Sequence, residues 1–196
     1  MAKIKVRLQA HRHIYIQNDL ANAACYFKTR IEKRIANNDR EGVGLEIMAG
    51  LTMLAFAIEA KFNFLGDRLI KDWKERAPAI EKVKTICAHL GVKPDFATRP
   101  YLSIKELKDF RDTLAHGKPL DLYLDEEVIA THEELDQRGL MRADWEAFVN
   151  KDFFACAYDD VENVWKDLLA RSKLEIFDTM THGDGTIQFI EHVEDI

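Results

Sequence analysis

The residues best suited to chemistry in this 196-residue chain stand together in Ser103–Pro119, SIKELKDFRDTLAHGKP. Arg111 carries a permanently charged, planar guanidinium that grips phosphate oxygens through paired hydrogen bonds. His116, five positions on, has an imidazole that can accept or deliver a proton near neutral pH. Asp112 follows the Arg directly, and Lys105, Lys108 and Lys118 surround the pair with further positive charge. A phosphate anchor beside a proton carrier suits proton-transfer chemistry at a phosphate group. Spacing alone says little: with 12 Arg and 7 His, an Arg four to six residues before a His is expected about once by chance. The same spacing recurs at Arg7 and His13. The element that holds the pair carries the information.

That element reads as a short helix with both ends marked. Ser103 and Glu106 have the spacing of a capping box, in which the hydroxyl and the carboxylate satisfy backbone donors left free by the first turn. Gly117 is expected as a left-handed residue just past the end, and Pro119 prevents the helix from resuming. At 100° per residue, Leu107, Phe110 and Leu114 fall within an arc of about 60°, which is the core face. Arg111 falls about 40° beyond Leu107, at the margin of that stripe, while Lys105, Asp109 and Asp112 lie opposite. An Arg there snorkels beside the core, pairs with a buried acid such as Glu59, or faces a second subunit.

Arg111, Asp112 and His116 on this helix resemble the motif of the HEPN superfamily: an Arg, a polar residue, a few more residues, then a His near the end of a late helix. The apolar stretch GLTMLAFAIEAKFNFLG resembles the core helix of such domains, with Glu59 and Asn63 one turn apart as supporting residues. The likeness runs from Arg12 to His116 and extends more loosely into the following helix. It implies a mainly α bundle of about five helices that forms a two-fold homodimer. In that dimer, two copies of the motif helix would face each other across one shared cleft.

The resemblance implies a metal-independent endoribonuclease of the toxin or phage-defence type, with no cofactor. One His would remove the proton from a ribose 2′-hydroxyl, the Arg pair would stabilise charge growing on phosphorus oxygens, and the second His would protonate the leaving 5′-oxygen. An antitoxin or another regulatory protein is the further partner such a protein implies. The same residues also have a plain structural use, with Arg111 tied to Glu59 and His116 capping the last carbonyls of its own helix. The competing expectation is therefore a non-catalytic scaffold or partner-binding protein.

Composition bounds these readings. The chain is long enough for one well-buried core, and 47% hydrophobic with 32% charged residues is an ordinary globular composition. The net charge of −6 is uneven: +6 over residues 1–40, +2 over 41–120 and −14 over 121–196. An acidic protein is a poor sequence-independent nucleic-acid binder, so RNA contact would be local, through the lysines of the motif helix. The longest uncharged apolar run, Ile47–Ile58, is 12 residues, well short of the ~20 that span a bilayer. It is expected as a buried core helix. With no secretory signal and three widely spaced cysteines, Cys25, Cys87 and Cys156, a cytoplasmic protein without structural disulfides is expected. His11 and His13 share a face of a strand, but two ligands without a third do not make a metal site, so no metal is expected.

Along the chain, Lys3–Leu8 alternates as a short strand. Helices are expected over 14–36, 45–73 and 79–90, then the motif helix, a polar helical turn from His132 to Arg138, and a last long helix over 144–172. Residues 120–131 suit an extended excursion. The tetrad His182-Gly183-Asp184-Gly185, flanked by 174–180 and 186–193, suits a β-hairpin. The expected organisation is a helical domain over 1–172 with a hairpin over 173–196, the acidic hairpin pairing with the basic N-terminal strand.

Overall fold

A computed structural model describes residues 3–138 and 141–193. The chain is mainly helical with one small antiparallel sheet, as expected. Strand β1 (Lys3–His13) leads into α1 (Ile16–Ala36), α2 (Val43–Leu69) and α3 (Ala79–His89). The motif helix α4 (Tyr101–His116), a short α5 (His132–Arg138), α6 (Lys151–Ser172) and β2 (His182–Val193) complete it.

Helix α2 is the centre of the bundle. Its sequence is apolar nearly all round, and it is long and apolar enough by composition to cross a membrane. A helix of that kind needs neighbours on several sides, and α1, α3, α4 and α6 all pack on it. Leu51, Leu54, Ile58, Phe62 and Leu65 meet Ile86, Leu107, Phe110, Phe154, Val161 and Leu168 in one buried core. Gly50 permits a close approach: a Cβ there would lie 2.5 Å from the Phe154 ring. The helix ends at Leu69 and not at Trp73, because Ile70 turns extended and Asp72 takes a positive φ of 60°. Trp73 then folds back so that its indole covers Gly66.

The last long helix is broken in two. A 3-10 turn at Asp144–Phe148 precedes α6, and Asn150 caps α6 by accepting a hydrogen bond from the Phe153 N–H at 2.8 Å. The polar cap residue between Val149 and Phe153 starts a new helix where apolar periodicity alone reads as continuous. Residues 117–131 carry no regular structure and are almost wholly exposed.

The acidic C-terminal segment pairs with the basic N-terminal strand, but as one continuous strand and not a hairpin. Eleven antiparallel pairs run from Lys3↔Val193 to His13↔His182, with a bulge at Lys5/Val6. Strand β1 therefore extends five residues past Leu8. Gly183 and Gly185 sit within the ladder because β1 comes close: a Cβ on Gly183 would lie 2.5 Å from the His11 carbonyl oxygen. Segment 174–180 forms turns and a short 3-10 stretch at Phe177–Thr179.

Candidate functional site

Helix α4 begins at Tyr101, two residues before Ser103, so the expected capping box is absent. Ser103 lies within the first turn, only 2% exposed, and its hydroxyl donates to Asp160 Oδ2 of α6 at 2.6 Å. Arg99 donates to the same carboxylate through Nε at 2.7 Å and Nη2 at 3.0 Å. This buried cluster, rather than a local cap, fixes where α4 starts. Glu106 is partly buried, and that burial pushes its carboxyl above the ordinary range. The other end also departs from expectation. Gly117 has φ −54° and ψ 132°, so no left-handed cap forms. The chain leaves the helix extended, as Lys118 must before Pro119.

Arg111 pairs with the buried-side acid. Its Nη1 donates to Glu59 Oε2 at 2.8 Å, and Nη2 lies 2.7 Å from Asp112 Oδ1. The guanidinium also lies 5.8 Å from the ring centre of Phe56, a solvent-facing aromatic of α2. Glu59 holds a second cation: Lys82 of α3, 3% exposed, donates to Oε1 at 2.8 Å. One carboxylate thus joins α2, α3 and α4. Asn63, one turn along, faces elsewhere and accepts from Trp73 Nε1 at 3.4 Å. It belongs to the α2 terminus and not to the site.

His116 is the last residue of α4 and is exposed. It shares an open depression of about 530 Å³ with Asp109, Asp112, Thr113 and Lys118. Arg111 borders a different hollow, a small one of about 20 Å³ beside Glu59 and Lys82. Asp112 is the link between them: it pairs with Arg111 through Oδ1 and lines the His116 depression. Its Oδ2 holds Lys108 at 3.1 Å. Pairing with Asp112 and Asp109 raises the Lys108 pKa, so that lysine stays charged but is locally neutralised. Lys105 and Lys118 are exposed.

The arrangement holds a pinned guanidinium and a free imidazole on one helix, about 140° apart around its axis by helical geometry. Among the described residues the two side chains border different hollows. Sequence reasoning missed Lys82 and the Arg99–Ser103–Asp160 cluster. Asp160 was open to discovery as an acid between Ala157, Val161 and Val164 on the apolar face of α6. No family model matches the chain, and neither the curated proteins nor the solved structures include a match to it.

Proposed function

We propose that the chain is a metal-independent endoribonuclease whose site is completed when two copies bring their α4 helices together. The observation that supports this most is the chain Glu59–Arg111–Asp112 ending beside an exposed His116. Glu59 and Asp112 fix the guanidinium in place, so it can meet a phosphate without first losing rotamer freedom. The imidazole, with no side-chain partner of its own among the described residues, is free to move a proton. Two such sets across a two-fold axis would supply a base and an acid of the same residue type. The ribose 2′-oxygen would then attack the adjacent phosphorus as its proton passes to one His. The 5′-oxygen would leave with a proton from the other, giving a 2′,3′-cyclic phosphate. Lys105 and Lys118 would steer the backbone, and an antitoxin or regulatory partner would occupy the same exposed face.

The scaffold reading is favoured by one specific observation. Two carboxylates already hold the Arg111 guanidinium, and the Glu59 pair braces three helices. Purified protein incubated with RNA in excess EDTA separates the two. The nuclease should leave 2′,3′-cyclic phosphate and 5′-hydroxyl ends, and Arg111→Ala and His116→Ala should each cut at least about 100-fold more slowly. RNA left intact by the wild-type protein, or cut equally by both variants, would leave only the scaffold.

A further inference from the structure

His11 and His13 lacked a third ligand in the sequence, and the strand register supplies one. In the β1–β2 ladder His13 pairs with His182 and His11 pairs with Asp184. Residues paired across an antiparallel ladder share a face, as do residues two apart on one strand. His11, His13, His182 and Asp184 therefore form a two-by-two block on one side of the ribbon, where it joins the helices. Ring centres are 4.4 Å apart for His11 and His13, and 4.8 Å for His13 and His182.

From this placement we propose that His11, His13 and His182 bind a zinc-class divalent cation, with Asp184 or water in the fourth position. Three imidazoles on one tetrahedral zinc, with Zn–N near 2.0–2.1 Å, hold their ring centres roughly 5 Å apart. The observed spacings are close to that. As they stand the side chains do not converge on one point, and among the described residues no group of three His, Cys, Asp or Glu is placed to hold a metal ion. His11 and His13 are exposed and can turn about χ1 and χ2 at little cost, and the backbone positions are already set.

His182 is the prepared member. Its Nδ1 lies 2.9 Å from the Met180 carbonyl oxygen, which can only accept, so Nδ1 carries the proton. That leaves the Nε2 lone pair free, and a backbone carbonyl behind the ring is the usual support for a metal-bound histidine. Phe177 stacks on the His182 ring at 5.6 Å and Tyr15 stands 6.1 Å away, which limits its movement. Arg68 is a nearby charge that opposes a cation, and its guanidinium is engaged by the Tyr15 hydroxyl and ring. Imidazole donors select Zn, Cu, Ni or Co over Mg or Ca. The bound ion would clamp β1 to β2 at the base of the ribbon.

The test is calorimetry of the full-length, EDTA-stripped and desalted protein with zinc sulfate, paired with the visible absorption of the cobalt form. One equivalent should bind with Kd of about 10 µM or tighter, and cobalt should show the intense d–d bands of a tetrahedral site. His13→Gln and His182→Gln should each weaken binding at least about tenfold and abolish the bands. Cys25→Ser and His132→Gln, outside the block of His11, His13, His182 and Asp184, should leave both unchanged. Absence of binding, binding that survives both ribbon variants, or binding lost with Cys25→Ser would overturn the proposal. RNA cleavage enters none of these readouts, so the outcome is independent of the nuclease reading.

Discussion

Replacing Asp160 with Ala should destabilise the protein by about 3 kcal/mol, although the residue lies far from His116 in sequence. The carboxylate is 4% exposed and receives hydrogen bonds from Ser103 and twice from Arg99. Truncation strands the Ser103 hydroxyl, itself 2% exposed, at a cost of about 1–3 kcal/mol. It also removes a bidentate, charge-assisted pair worth about 1.5–3 kcal/mol. The Arg99 side chain is 56% exposed, so water recovers much of that second contribution. At roughly 2–4 °C per kcal/mol for a chain of this size, the melting temperature should fall by about 6–12 °C. Urea unfolding of wild type, Asp160→Ala, Ser103→Ala and the double variant gives the coupling directly, expected at about 1 kcal/mol or more. Because the cluster sets where α4 begins, the proposed nuclease activity should drop as well, with the motif residues intact. A loss below about 0.5 kcal/mol would refute the claim that this cluster anchors the motif helix.

Other perturbations have defined outcomes. Glu59→Ala should cost about 3–5 kcal/mol, because it leaves the buried Lys82 ammonium without its carboxylate, and chemical denaturation reads this. Gly50→Ala should destabilise by about 1–3 kcal/mol, since the added methyl would overlap a Phe154 ring that is only 1% exposed; thermal melting checks it. His116→Ala should leave unfolding within about 0.5 kcal/mol of wild type, which separates a site residue from a structural one. Hydrogen bonds from Arg34 hold the Asp39 carboxyl below its ordinary value. Glu46 is raised by burial but lowered more by Arg30 and Arg34 together. Both folded values lie below the unfolded ones, so their stabilisation is complete above about pH 4–5 and is lost as pH falls further. Melting temperature measured from pH 6 to pH 3 should decline, and Arg34→Gln should flatten that decline.

Much of the fold was legible because apolar periodicity is a local signal. Leu107, Phe110 and Leu114 marked the core face of α4, and the run from Ile47 to Ile58 marked the central helix. What failed depended on partners distant in sequence. Ser103 had the spacing of a cap, yet its hydroxyl is taken by Asp160, 57 positions away. Gly183 and Gly185 looked like turn residues because the strand that needs their missing side chains lies at the other end of the chain. Asn150 broke a helix that the flanking aromatics made look continuous. At the site, the Arg111–Glu59 pair was among the readings open from helix geometry, but Lys82 as the second cation on Glu59 was not. The third histidine at the ribbon base could be found only through the register.

The proposed shared cleft is tested most directly by the RNA-cleavage rate per chain as the protein is diluted from micromolar to nanomolar, with molar mass followed by light scattering at each point. A site made from two α4 helices predicts that the rate per chain falls in step with the dimer fraction. An unchanged rate per chain once the protein is monomeric would contradict it.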